Sequence, residues 1–345
     1  MAADSPASGG GCARLPPGMV ASGPAGPSGR GPGPAAAAVP LSTAAASANP
    51  QQAAVMERHM GTSPRPLAAH VQLLIPASRR PQVRTRVLGR QCQGLPPGAA
   101  LAATVHDLTT VPGRTLDAVG GGSLATGDIG SATAVGGGYL APVTGPPLTA
   151  GGKPEVLYVG AGFCPYCAAL RWPLIVSLSR FGSFSGLTSD RSAVTAGSGQ
   201  REPYPATPTW TFYGSSYASR YLAFTPVEMS SSVPDRATGG YTPLQSPSAL
   251  QQATLARYDA GNAIPFIDIG NRYVEISVLI PYGPQDLANK TWSQITAAVR
   301  DPSSALGREI DASANYITAA ICTLTGNKPV SACTQEIRLL QPRLR

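Results

Sequence analysis

The sequence predicts an α/β fold in which a mixed sheet is flanked by helices. A continuous apolar run at 156–160 follows Pro154 and Glu155, as is typical of a strand buried on both faces. Apolar residues at helical spacing come next, and two strand-like segments later flank the turn pair Gly270-Asn271. A buried strand, a helix and two strands around a tight turn together indicate a mixed sheet covered by helices.

The elements of this fold are expected in a definite order along the chain. After Phe163 a helix begins with Pro165 in its first turn, where a missing N–H group is harmless, and Pro173 predicts a kink. Segments 209–213 and 220–224 are strand-like, and the link between them indicates a hairpin or a return strand. The later elements are expected to be a helix at 248–258, strands at 264–269 and 273–276, and helices at about 284–300 and 303–324.

The N-terminal region differs in composition from the rest of the chain. Residues 1–102 are rich in Ala, Gly, Pro and Arg, and their few large apolar side chains cannot offset the entropy cost of ordering the backbone. We therefore expect a long disordered segment there. Residues 103–150 are expected to form a pre-domain extension with one or two helical turns, residues 151–334 the folded domain, and residues 335–345 a C-terminal tail.

The charge distribution argues against nucleic-acid binding. The chain has a formal net charge of +8, but residues 1–100 hold nine Arg against Asp4 and Glu57, a net +7. Residues 101–345 carry 17 basic and 16 acidic side chains, which leaves no long-range positive field to collect phosphate. A run of about 18 apolar residues is also absent, so no membrane segment is expected.

A pair of cysteines carries the chemistry of this sequence. Cys164 and Cys167 follow the buried strand and lie at the start of the helix, where unpaired N–H groups and the positive helix end favour a thiolate. Cys164 is outermost and is expected to attack a substrate disulfide, while Cys167 resolves the mixed disulfide. Pro165 and Tyr166 are expected to shape the rim of this site.

The motif and its surroundings resemble the thioredoxin superfamily. The resemblance rests on two segments: Phe163-Cys164-Pro165-Tyr166-Cys167 after a hydrophobic strand, and Ile264-Pro265 before a later strand. It implies a thioredoxin-like fold in which a cis Pro265, preceded by Ile264, lies opposite the redox pair and supports the substrate backbone. More closely, segments 151–161 and 212–217 resemble a thioredoxin-like family of unknown function from actinobacteria and archaea, with a match expected over about 103–334.

The resemblance is incomplete at one position. Six residues before Cys164, where thioredoxins have a buried acid that helps to deprotonate the resolving thiol, this chain has Tyr158. Glu155 and Asp268 are the nearest alternatives in sequence. Asp268 itself, with Asp259 and Glu275, is interpreted as an ordinary surface or sheet-edge charge.

These features predict a thiol-disulfide oxidoreductase that exchanges disulfides with protein or small-molecule thiols and needs no cofactor. Its partners would be a substrate protein and a redox partner. A thioredoxin-fold binding module without turnover is an alternative, and so is a structural zinc site that Cys322 and Cys333 would complete. The ten residues between these cysteines exceed the usual ligand gap, and residues 107–345 lack histidine, so no metal is expected.

Cys322 and Cys333 are instead expected to form a structural disulfide across the turn at 326–329, with a relay to the Cys164/Cys167 pair as the alternative. Stable disulfides persist mainly outside the cytosol, so this pair and the family resemblance favour an extracytoplasmic location. Neither a signal peptide nor a membrane anchor is expected in this chain. The remaining cysteines, Cys12 and Cys92, fall in the segment expected to be disordered.

Overall fold

The computed structural model describes residues 98–126, 140–196, 199–276 and 281–344. The disorder expected for 1–102, with Cys12 and Cys92, falls almost entirely outside these residues. The helices are α1 (Gly98–Thr109), α2 (Gly113–Val119), α3 (Gly122–Thr126), α4 (Pro165–Ser179), α5 (Ala249–Tyr258), α6 (Pro284–Leu287), α7 (Trp292–Val299), α8 (Ala305–Leu324) and α9 (Gln335–Arg338). The strands are β1 (Ala141–Pro142), β2 (Thr149–Ala150), β3 (Lys153–Gly160), β4 (Gly182–Ser185), β5 (Thr188–Arg191), β6 (Pro208–Thr211), β7 (Ser216–Ser219), β8 (Ala223–Glu228), β9 (Ser230–Asp235), β10 (Gly240–Pro243), β11 (Phe266–Ile269) and β12 (Tyr273–Ile276).

The central sheet is mixed, as the sequence predicts. Its strands follow the order β1-β12-β11-β3-β2, and β8 also pairs with β3. The β3–β8 pair is parallel, with Val156 opposite Phe224, whereas β11 runs antiparallel to β3, with Phe266 opposite Val159. Residues 155–160 of β3 are all buried, because sheet neighbours flank this strand and helices cover its faces. The α/β architecture with a mixed sheet is therefore confirmed.

A helical layer packs on this sheet around bulky apolar side chains. Trp172 of α4, Trp210 of β6 and Trp292 of α7 are almost completely buried, and the rings of Trp172 and Trp210 meet edge to face with centroids 5.6 Å apart. Helix α8 contributes a long apolar face that includes Ile310 and Ile317. None of the helices in the described ranges is both long enough and apolar enough to cross a bilayer.

Of the two arrangements expected for the strand-like segments between α4 and α5, a hairpin or a return strand, the hairpin is not formed. Strand β6 pairs with β5, β7 pairs with β4, and β8 joins β3 in the central sheet. Segments 209–213 and 220–224 therefore do not pair with each other. The helix expected at 284–300 is also divided into α6 and α7, because Asn289 adopts a positive φ of 60° and Thr291 caps a new helix with its side chain.

The extension and the tail both contribute to the core. Helix α1 is longer than the one or two turns expected, and Leu108 and Leu116 are buried in the main apolar cluster. The side-chain amide of Asn315 on α8 donates hydrogen bonds to the carbonyls of Leu116 and Gly120, both at 2.8 Å. At the other end of the chain, Ile337 and Leu344 are buried in the same cluster.

The interpretation of Asp259, Asp268 and Glu275 as surface or sheet-edge charges is wrong, because all three side chains are buried. Strand β12 pairs with β1 at Tyr273 and Val274, directly before Glu275. Asp268 accepts a hydrogen bond of 2.7 Å from the backbone N–H of Asn271, and burial raises the pKa of its carboxyl to about 6. The Gly270-Asn271 turn, which predicts the two flanking strands, thus also donates a hydrogen bond to the buried carboxyl of Asp268.

Cys322 and Cys333 are joined by a disulfide that ties the end of α8 to the segment before α9. Their Cα atoms lie 5.8 Å apart, and both residues are fully buried. The bond closes a short loop in which Asn327 adopts a positive φ.

Replacing Cys322 and Cys333 together by alanine is expected to lower the free energy of unfolding. A cross-link between residues 11 apart restricts the unfolded chain and contributes about 2–3 kcal/mol. Chemical denaturation monitored by circular dichroism measures the change. The matched control is the variant C164A/C167A, which removes two buried thiols but no covalent link, and an equal loss in both variants would contradict the prediction.

Candidate functional site

The predicted cysteine pair lies where the central strand passes into helix α4. Strand β3 ends at Gly160, and a short loop leads to Cys164, which is the N-cap residue of the helix with φ −75° and ψ 121°. Pro165 occupies the first helical position, as expected from the harmless loss of its N–H there. Both cysteines are free thiols: Cys164 retains 6% of its exposed surface and Cys167 none.

Hydrogen bonds at the helix start lower the pKa of Cys164. The sulfur accepts the backbone N–H of Cys167 at 3.3 Å and so caps the helix. Burial by itself would raise the pKa of this thiol. Hydrogen bonds from the Cys167 thiol and from the N–H groups of Cys167 and Tyr166, together with the positive charge of Arg171, outweigh burial and bring the pKa below its ordinary value.

The pKa of Cys167 moves in the opposite direction. Burial is the main cause of the rise, and the hydrogen bond to Cys164 and the charge of the Cys164 thiolate add to it. The positive charge of Arg171 and the backbone of Ala161 act against the rise without cancelling it. One thiol of the pair is thus prepared as a thiolate, while the other holds its proton.

The Ile264-Pro265 segment lies beside the first thiol. The Cys164 thiol is 3.8 Å from the carbonyl oxygen of Ile264, to which it donates a weak hydrogen bond, and the Ile264–Pro265 peptide bond is cis. The structure therefore brings Cys164, Cys167 and the Ile264-Pro265 segment together. In the described part of the chain, no three His, Cys, Asp or Glu side chains lie close enough to hold a metal, so the two cysteine pairs form no such group.

A buried ion pair next to the cysteines was not predicted. Arg171 lies one turn after Cys167 on α4, and Glu228 is the last residue of β8. The guanidinium donates from Nε to Oε1 of Glu228 at 2.9 Å and from Nη2 to Oε2 at 2.6 Å, with both side chains shielded from water. Nη2 also donates to the carbonyl of Ala161 at 3.0 Å.

The carboxylate near the cysteines is therefore that of Glu228, and not that of Glu155 or Asp268. The side chain of Glu155 hydrogen-bonds to the hydroxyl of Thr225, and Asp268 bonds to the turn at Asn271. The ring of Tyr158 lies 5.7 Å from the Arg171 guanidinium carbon, and burial raises the pKa of the phenol, which stays neutral. One feature of the sequence indicates this ion pair: Arg171 is the only charged residue within 156–179, and Glu228 is the only charged residue within 221–234.

Residues 188–196, 199–211 and 230–243 surround the motif, and we call them the collar. The ring of Phe163 stacks on that of Tyr241 with centroids 4.2 Å apart and planes 4° from parallel, and Tyr166 meets Tyr204 edge to face at 6.0 Å. The residues before and after the Cys164-Pro165 step therefore each contact a tyrosine of the collar.

Backbone contacts attach the collar to the loop that carries Cys164. The N–H of Ala193 donates to the carbonyl of Phe163 at 3.0 Å, and the N–H of Gly162 donates to the carbonyl of Ser230 at 2.7 Å. A Cβ atom on Gly162 would lie 2.9 Å from the backbone of the Ser231–Ser232 peptide. Glycine is therefore required at position 162 for the collar to approach this closely.

Comparison with protein families gives a match over residues 139–246, to a domain of unknown function, DUF929. The match covers β3, the cysteine motif, α4 and the collar, a narrower span than the expected 103–334. The comparison with curated proteins found no match, and neither did the comparison with solved structures.

Cys164 is expected to be alkylated at least about tenfold faster than Cys167 at pH 7, because their pKa values are shifted in opposite directions and one pKa unit changes the thiolate fraction about tenfold. Limited iodoacetamide treatment followed by peptide mass spectrometry measures the ratio. In the C164S variant, Cys167 is expected to stay slow up to alkaline pH. Faster labelling of Cys167 in the wild-type chain would overturn the assignment.

Loosening the collar is expected to expose Cys164. The variant Y241A removes an aromatic contact worth about 0.5–1.5 kcal/mol and so should raise the limiting alkylation rate of Cys164, at a pH where it is fully ionised, about two- to tenfold. The control Y241F keeps the stacked ring and loses the hydrogen bond of 2.8 Å from the hydroxyl to the Thr195 carbonyl, so its rate should rise less than that of Y241A. An unchanged rate in Y241A would show that the stack does not limit access.

Proposed function

We propose that this chain is a thioredoxin-like thiol-disulfide oxidoreductase whose redox pair is Cys164 and Cys167. The observation that carries the proposal is the pair itself: two free thiols at a helix start, with the pKa of the first lowered and that of the second raised. Disulfide exchange needs a nucleophile that is a thiolate at neutral pH and a second, resolving thiol that stays protonated until the mixed disulfide has formed.

In the proposed reaction the reduced pair transfers two electrons to a substrate disulfide. The Cys164 thiolate attacks one sulfur of the substrate, the substrate S–S bond breaks, and one substrate thiolate leaves. Cys167 then loses its proton to solvent and attacks the Cys164 sulfur, which breaks the mixed disulfide and releases the second substrate thiolate. The protein ends with a Cys164–Cys167 disulfide, and the reverse sequence oxidises a dithiol substrate.

The arrangement around the pair supports the thioredoxin-like part of the proposal. Strand β3 leads into the cysteine motif, the motif begins α4, and β11 pairs with β3 directly after the Ile264-Pro265 segment. Because the Ile264 carbonyl lies 3.8 Å from the Cys164 sulfur, an extended substrate chain bound along this segment would present its disulfide to Cys164. Pro165 and Tyr166 would form the opposite rim.

The Cys322–Cys333 disulfide favours an oxidising compartment as the place of this chemistry. Buried disulfides of this kind persist mainly in exported or extracytoplasmic proteins. The two cysteine pairs then have separate roles, with one pair catalytic and the other structural.

The wild-type chain is expected to catalyse reduction of insulin disulfides by dithiothreitol, whereas C164S is expected to show only the background rate. The C167S variant should accumulate a mixed disulfide with the substrate, because its resolving thiol is absent. Turbidity of the precipitating insulin chains measures turnover, and intact-mass spectrometry detects the adduct.

The control variant C322A/C333A also loses two cysteines but keeps the redox pair, so it should retain turnover at a temperature where it is folded. Background rates in the wild-type chain, with stable binding of the same peptides, would instead support a binding module without turnover.

A further inference from the structure

We propose that Arg171 is a positioning residue for the second half of the exchange, in which its guanidinium holds the Cys167 sulfur as a thiolate during attack on the mixed disulfide. This inference rests on the proposed function. It assigns a role to a buried charge that the motif itself does not explain.

The first step of the argument is where Arg171 lies. On a helix, residues four apart share a face, so Arg171 lies directly beyond Cys167 on α4. The guanidinium is also anchored to the cysteine loop, because Nη2 donates to the carbonyl of Ala161, which also accepts the N–H of Cys164 at 3.3 Å. The only positive charge of α4 thus belongs to a residue one turn beyond Cys167, and it is anchored to the loop that carries Cys164.

The second step is an N–H group without a partner. Within the part of the chain that the structure describes, Nη1 of Arg171 is buried and makes no hydrogen bond. A buried donor left unpaired is costly, and the cost is removed when an acceptor appears nearby. A thiolate on Cys167 would be such an acceptor, whereas a protonated thiol is a poor one.

The third step is the sign of the electrostatic effect. Arg171 lowers the pKa of Cys167 against the rise that burial causes, and in turn the charge of Cys167 raises the pKa of Arg171. Glu228 compensates the arginine charge and so limits how strongly it acts on the sulfur. Removing the carboxylate alone and removing both charges should therefore shift the resolving step in opposite directions.

Single-turnover reaction with dithiobis-nitrobenzoate (DTNB) separates the two halves of the exchange. Attack by Cys164 breaks the reagent's disulfide and releases one coloured thiolate. Attack by Cys167 on the mixed disulfide then releases the second, so that two electrons pass from the thiols to one reagent molecule. The first phase reports the nucleophile, and the pH dependence of the second phase reports the resolving thiol.

The charge-free variant R171M/E228Q is expected to slow the second phase about tenfold at neutral pH and to move its pH midpoint up by about one unit, with the first phase changed less. The variant E228Q is expected to move the midpoint down, because the guanidinium is then uncompensated. R171K, which keeps a positive charge, should recover most of the rate. A purely structural role would not shift the midpoint in opposite directions in these variants.

Arg180 provides the matched control, since it caps the end of α4 and its Nη2 is also buried without a partner among the described residues. R180M should leave both phases at wild-type rates. An unchanged second phase in R171M/E228Q, or an equal slowing in R180M, would overturn the role of Arg171. If the wild-type chain releases no second thiolate, the proposed function itself fails, and this outcome is distinct from the other two.

Discussion

The guanidinium of Arg171 and the carboxylate of Glu228 meet in a part of the molecule from which water is excluded, and two hydrogen bonds join them. Two charges brought out of water lose their hydration, and this loss is offset only when the geometry between them is good. The pair therefore tolerates little displacement of α4 relative to β8. Because β8 is hydrogen-bonded in parallel to β3, the start of the cysteine helix is held in place relative to the central strand.

The position of Glu228 also determines where the collar begins. Met229 directly follows Glu228, and its N–H donates to the carbonyl of Gly160 at 2.8 Å, so β9 begins where β3 ends. The chain then runs past Gly162 and brings Tyr241 onto Phe163. A charge pair, a glycine and an aromatic stack thus follow one another around the loop that carries Cys164.

Structural elements that depend on residues close together in the chain could be predicted from the sequence. The apolar run of β3, the proline in the first turn of α4 and the Gly270-Asn271 turn are local signals, and each gives the element that it predicts. Glu228 could not be assigned in this way, because its partner lies 57 residues away and a lone acid in a strand gives no sign of what it faces. The small sheet formed by β5 and β6 in the collar likewise depends on a pairing between short polar segments that are not adjacent in the chain, such as Arg191 with Pro208.

The effect of Pro173 on its helix depends on residues from distant parts of the chain. A proline inside a helix leaves the carbonyl four residues earlier without its N–H donor, which here is the carbonyl of Ala169. The hydroxyl of Tyr282 donates to that carbonyl at 2.7 Å, and the hydroxyl of Thr209 donates to the adjacent carbonyl of Ala168 at 2.9 Å. These carbonyls lie directly after Cys167, so a residue near α6 and a residue of the collar both anchor the turn that follows Cys167. The hydrogen bond that Pro173 cannot make is thus replaced by one that attaches the cysteine helix to the rest of the fold.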